Sequence, residues 1–131
     1  MDEHPNAAVV RAAYDAIERG DLETFAGLLD EDVVWYESTP GFEGEYRGRD
    51  EALGLLGRVF VETGIEMGDV TIDRVLADDE MAVVLHRSTI TRGDRGHTAE
   101  YVDIYRVQDG KLTEHRHLAV DPTAEAAFFA S

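Results

Sequence analysis

The sequence predicts an α+β fold in which helices cover one face of a curved sheet. Two observations carry this. Up to Gly64 the apolar residues recur mostly at helical spacing, with one short β-prone interruption. From Val70 onward they alternate with strand period and are cut by turns rich in aspartate and glycine. Helices first and an antiparallel meander after them is the layered α+β pattern.

The first helix is expected to begin near Asn6, a good capping residue, and to run to Arg19. Val10, Ala13, Tyr14 and Ile17 share one stripe. Gly20 stops it, and Asp21 caps a second helix carrying Phe25, Leu28 and Leu29. Residues 33–37 form a short β-prone run closed by Pro40-Gly41. Asp50 is expected to cap a third helix reaching Glu62, weakened by Gly54 and Gly57 and ended by Gly64. A strand over 70–76, a turn at Asp78-Asp79 and a long strand over 81–91 follow. A second turn spans 92–96, and a closing hairpin covers 98–120. Pro122 permits a last helical turn with Phe128 and Phe129. Without repeats, low-complexity tracts or linkers, a single domain over 1–131 is expected.

A chain of 131 residues with 44% hydrophobic content can bury a proper core. No run of about 18 apolar residues points to a membrane span. The first residues lack the basic and apolar regions of a signal peptide, and cysteine is absent, so a cytoplasmic location without disulfides or thiolate chemistry is expected. The net charge is -16, from 28 acidic and 12 basic residues. A field of that sign repels nucleic acid and anionic lipid, which excludes both as expected partners. Lys111 is the sole lysine. An acidic, lysine-poor surface suits a halophilic source, where salt screens self-repulsion, and equally an ordinary acidic bacterial protein.

Chemistry concentrates in the closing hairpin. Tyr101, Asp103 and Tyr105 share one face of a strand, and His115 and His117 share one face of the next. The turn decides whether these faces coincide. A two-residue Asp109-Gly110 turn pairs Asp103 with Arg116 and sends the histidines away. A three-residue turn that adds Gln108, with Gly110 left-handed at a bulge, pairs Asp103 with His115 and Tyr101 with His117. His86 shares a face with Val84 and Ser88 on the long strand, and Glu37 shares one with Trp35. A carboxylate beside an indole in an apolar pocket has its pKa raised and serves as a base near neutrality. Histidine is the natural proton shuttle there. Three histidines and an acid are also zinc or iron donors, but their spacing is not diagnostic and no metal is assigned. Tyr14, Trp35, Phe60, Val84 and Tyr101 are read as ligand-binding wall, suited to a flat apolar molecule. The bland alternatives are a solvated strand-end glutamate, a structural Asp–His or Asp–Arg116 pair, and satisfied core histidines.

Three motifs carry a resemblance: Gly20-Asp21-Leu22, Tyr46-Arg47-Gly48-Arg49-Asp50 and Asp109-Gly110-Lys111-Leu112. In this order and spacing the chain resembles the nuclear-transport-factor-2-like superfamily over about Asn6 to Val120. Its nearest resemblance is to the SnoaL-like polyketide cyclases and the ketosteroid isomerases. The resemblance implies a cone-shaped barrel of strongly curved antiparallel sheet on three N-terminal helices, one enclosed pocket, and a homodimer formed through the outer sheet face. It also implies the three-residue turn. Glu37 matches the isomerase's proton-shuttling carboxylate, and Asp103 its protonated, oxyanion-stabilising aspartate. The isomerase's helix-one tyrosine falls on Ala13, one residue and about 100 degrees from Tyr14. The cyclases and epoxide hydrolases place a carboxylate where this chain has His117. The hydrolases' Arg-x-Asp is replaced by a strand reading Val84-Leu85-His86-Arg87-Ser88.

The expected function is cofactor-independent general acid–base catalysis on a small, apolar carbonyl or polyketide-like compound, of isomerase, cyclase or dehydratase type. Glu37, Asp103, His86, His115 and His117 are the candidate catalytic residues, with an Asp103–His115 pair as stabiliser. The alternative is a non-catalytic ligand-binding or dimerisation domain. A group titrating between about pH 5 and 8 alongside activity separates the two.

Overall fold

The computed structural model describes residues 3–130, so the part of the N-terminal reading that concerns Met1 and Asp2 lies outside it. The elements are α1 (Pro5–Glu18), α2 (Leu22–Leu28), β1 (Leu29–Glu37), β2 (Gly44–Arg47), α3 (Arg49–Thr63), β3 (Glu66–Ala77), β4 (Met81–Arg92), β5 (Arg95–Gln108), β6 (Lys111–Ala119) and α4 (Pro122–Ala130). One six-stranded sheet in the order β2-β1-β6-β5-β4-β3 packs against the helices. Its outer strands, β2 and β3, do not pair with each other, so the barrel stays open.

Helix starts differ from expectation by a residue or two. Pro5 occupies the first turn of α1, where its fixed φ costs nothing and its missing N–H is not needed. The cap therefore moves upstream to His4, whose Nδ1 accepts the Asn6 N–H at 3.1 Å. The Asn6 amide instead donates to Asp78 O at 2.8 Å and ties α1 to the β3–β4 turn. Asp21 caps α2 as expected. Gly48 rather than Asp50 caps α3, and Asp50 with Glu51 sits in its first turn, where acidic groups favour the helix dipole.

The sheet is mixed, which corrects the wholly antiparallel expectation. β3 to β6 form an antiparallel meander. Its last strand lies inside the sheet, and β1 fills the open side of β6 running parallel, with Trp35 opposite His115. β2, a strand the sequence reading passed over, pairs with β1 antiparallel. At Gly68 an added Cβ would lie 3.1 Å from Thr89 O, so β3 runs close to β4 there and a side chain would fit only if Thr89 gave by a few tenths of an ångström.

The closing turn has two residues: Gln108 faces Lys111, and both Asp109 (φ 52) and Gly110 (φ 75) are left-handed, as a type I′ turn requires. The three-residue turn is thus not formed. The register nevertheless shifts by one residue between Arg106 and Val107, because β6 carries Thr113 as an extra residue. Asp103 pairs with His117 and Tyr105 with His115, and all four face inward. The histidines arrive on the expected face by a different route.

The core gathers Val10, Ala13 and Ala16 of α1, Phe25, Leu29, Val33, Leu55 and Leu112, all nearly inaccessible. Above it the helices and the sheet enclose a cavity.

Candidate active site

The cavity holds about 380 Å³. Its rim is apolar and partly exposed, with Leu22, Phe60 and Met67, while its polar groups come mostly from the inward faces of β1, β4, β5 and β6, joined by Tyr14 of α1 and Glu125 of α4. Their centre is Asp103, 3% exposed, in the middle of β5. The Oδ2 atom accepts from the Tyr14 hydroxyl and from His86 Nε2 at 2.7 Å. The Oδ1 atom accepts from His117 Nδ1 at 2.5 Å, and His115 Nε2 stands 3.5 Å from it. A carboxylate has about four lone-pair sites, and here each faces a donor.

Burial opposes the charge on Asp103. The positive field of His117 and the approach of His115, His117 and His86 outweigh it and hold the carboxyl well below the usual carboxylate range. Asp103 is therefore an anion that only accepts. That corrects the expectation of a protonated, oxyanion-stabilising acid: four converging donors are complementary to the carboxylate, not to the acid.

The proton sits on the partner. Burial works against a charged His117, but Asp103, through its charge and its hydrogen bond, raises the imidazole to about 9. Glu37 and Glu125 add to the effect at longer range. His117 is an imidazolium at neutral pH. Its Nδ1 is held by Asp103, and its Nε2 makes no hydrogen bond to the described residues that line the cavity with it.

The other predicted residues divide by their contacts. His86 spends both nitrogens, one on Asp103 and one on Ser88 Oγ at 2.8 Å, so it positions the carboxylate. His115, expected to be the closest partner of Asp103, is instead sandwiched between the Trp35 ring (3.8 Å) and the Tyr105 ring (4.6 Å). The register shift places it opposite Tyr105, one pair further along the strands. Its Nδ1 is buried without a partner among the described residues. Glu37 reaches the cavity, but the indole beside it is a donor rather than an apolar wall: Trp35 Nε1 donates to Oε2 at 3.0 Å, and the Thr39 hydroxyl donates to Oε1 at 2.8 Å. Phe60, Trp35 and Tyr101 line the cavity as expected. Val84 is fully buried in the core and is not a lining residue; His86 and Ser88, further along the same face of β4, line the cavity instead.

Two groups gain importance over their sequence reading. Tyr14, read as wall, donates to Asp103 and accepts from the Tyr105 hydroxyl at 2.9 Å. Burial, with the neighbouring hydroxyl and carboxylate, raises the Tyr14 phenol well above its ordinary value, so it stays a donor. Glu125 on α4 was not singled out at all. It is buried, lines the cavity, and accepts from the Tyr101 hydroxyl at 2.9 Å. The available signal was a lone carboxylate on an otherwise apolar helix, three residues before Phe128.

A model of the SnoaL-like domain matches residues 10–115. The chain belongs to the SnoaL-like domain family. No functionally curated protein matches it. Among solved structures, this SnoaL-like domain is similar to a protein from a soil-derived mobile gene cassette, with 28% identity and a TM-score of 0.83, over 95% of this chain and 96% of the other. It is also similar to TerC co-crystallised with polyporic acid, at 21% identity and a TM-score of 0.84, over 98% and 100% of the two chains. An LEH-like epoxide hydrolase of M. tuberculosis aligns at 21% identity and a TM-score of 0.74, over 96% and 92%. These last two likenesses show the fold, the nuclear-transport-factor-2-like cone that the sequence motifs resemble. No helix of the described residues is long and apolar enough to cross a membrane.

Proposed function

We propose that this cavity is the active site of a cofactor-independent enzyme that works by general acid–base catalysis on a small apolar carbonyl compound. The observation that carries this is the His117–Asp103 pair. A cation is fixed at one nitrogen by a buried carboxylate while its other N–H has no partner among the described residues and lies beside a largely apolar cavity. Such a donor, in a site of low polarity, stabilises an enolate far better than water does.

The reaction class follows from the groups present. A substrate carbonyl oxygen accepts from His117 Nε2–H. Glu37 takes a proton from the adjacent carbon, and the C–H electron pair moves into the enolate, whose oxygen charge is met by the imidazolium. Return of that proton from Glu37 at another carbon is isomerisation; attack of the enolate carbon on a second carbonyl, with the proton passed to the new alkoxide, is cyclisation; and departure of a β-hydroxyl that takes the proton and leaves as water is dehydration. His86, Tyr14 and Tyr105 fix the Asp103 carboxylate and through it the ring of His117. Proteins of the same fold include an LEH-like epoxide hydrolase and one co-crystallised with polyporic acid, which is in keeping with a small-molecule site.

The test is exchange of α-hydrogens of an apolar ketone such as 2-tetralone in deuterium oxide, followed by proton NMR. The protein is expected to accelerate exchange about 100-fold or more over buffer, and H117Q and E37Q to remove the acceleration while keeping the native circular dichroism. Binding of the ketone without acceleration would defeat the proposal and favour a non-catalytic ligand-binding domain.

We also propose a homodimer. On the sheet face opposite the cavity, Val102 and Ile104 are only half-buried, and Leu118 is exposed. Apolar area of this kind is the usual mark of an interface. Sedimentation at micromolar protein and moderate salt is expected to give a dimer mass, and a clean monomer would refute it.

A further inference from the structure

Glu125 is the one charged residue of α4, and the residue is 4% exposed. Burying such a group is costly unless its oxygens find donors. Oε1 has one, the Tyr101 hydroxyl. Oε2 makes no hydrogen bond to the described residues, although Glu125 lines the cavity. Tyr101 in turn stacks on His117, with ring centroids 4.6 Å apart, so Glu125 stands one side chain away from the imidazolium. The cavity thus offers a donor at His117 and, beyond Tyr101, an acceptor of opposite sign.

From this complementarity we infer that Glu125 Oε2 accepts a hydrogen bond from a hydroxyl of the substrate, which is a neutral, hydroxylated apolar carbonyl compound. The carbonyl meets His117 and the hydroxyl meets Glu125. Two features of the site exclude an anionic ligand. Asp103 already neutralises the His117 cation, and Glu37 and Glu125 add two more carboxylates facing the same space. A hydrogen bond to a buried charged acceptor discriminates strongly, because the ligand lacking the hydroxyl leaves the carboxylate desolvated and unpaired. The inference rests on reading this cavity as the substrate site.

Calorimetric binding of 4-hydroxybenzophenone, benzophenone and 4-benzoylbenzoate tests it. These probes share one shape and differ in the group presented to Glu125. The hydroxylated ketone is expected to bind about tenfold or more tightly than benzophenone, with no binding of the carboxylate. Glu125→Gln retains an acceptor for Tyr101 and is expected to narrow the hydroxyl advantage to about threefold or less. Equal affinities in the unaltered protein, tighter binding of the carboxylate, an advantage unchanged in E125Q, or no binding of any probe at its solubility limit would overturn the inference. The comparison among probes needs no variant, so a poorly folding E125Q leaves it decisive. Hydroxyl preference without α-proton exchange defeats the catalytic proposal alone, and exchange without preference defeats this one alone.

Discussion

Replacing Asp103 by asparagine is expected to abolish α-proton exchange, with a loss of about 100-fold or more, while the protein still folds. The amide keeps one acceptor oxygen and gains two N–H donors where Tyr14, His86 and His117 all donate. One side of the cluster then loses its acceptor, and the His117 cation loses its counter-ion inside the protein. Breaking a buried pair in this way costs about 3 kcal/mol. Urea unfolding should show that loss. NMR titration should show His117 returning from about 9 toward the ordinary imidazole range near 6.5. If D103N leaves His117 titrating near 9, or leaves exchange intact, Asp103 is not what holds the acid.

The second large effect is on stability against pH. His117 has a folded pKa of about 9, above the imidazole value of about 6.5 in an unfolded chain. A group raised on folding contributes fully below its unfolded pKa and loses that contribution as pH rises through the folded one. The fold is therefore expected to lose about 3 kcal/mol between pH 6.5 and pH 9. Asp103, depressed on folding, acts in the other direction. Its contribution is present above the ordinary aspartate range and is lost only in acid. The mutual attraction of the two groups is one interaction and is counted once. Denaturant unfolding over this range measures the slope, and in H117Q the slope should vanish. A flat profile in the unaltered protein would mean that His117 is neutral in the native state and that the proposed acid does not exist.

Local signals in the sequence specified most of the fold. Gly20 with Asp21 separates α1 from α2, Gly64 ends α3, and alternation over β4 and β5 puts His86, Tyr101, Asp103 and Tyr105 on one face. The motifs were sufficient for the family and for the cavity, because helix caps, turn residues and strand period act over a few residues and can be read in order. The candidate acids and histidines were legible too. Aspartate between Val102 and Ile104, and histidines two apart on the next strand, are costly choices unless their side chains meet inside.

Roles within the site were decided by tertiary structure. The turn is the two-residue form that, followed without interruption, would have turned His115 and His117 outward. Thr113 reverses that outcome, and no local preference of threonine marks it as a bulge; pairing with β5 and burial of the histidines select it. The same shift by one residue gives Asp103 to His117 and leaves His115 between Trp35 and Tyr105, and the parallel pairing of β1 with β6 brings Trp35 there. Tyr14 and Glu125 enter the site from helices at opposite ends of the chain, 89 residues before Asp103 in one case and 24 residues after Tyr101 in the other. The charge on Asp103 is set by donors from α1, β4 and β6 together. A sequence lists those donors, but only packing determines how many of them face one carboxylate, and that number decides whether it is an acid or an anion.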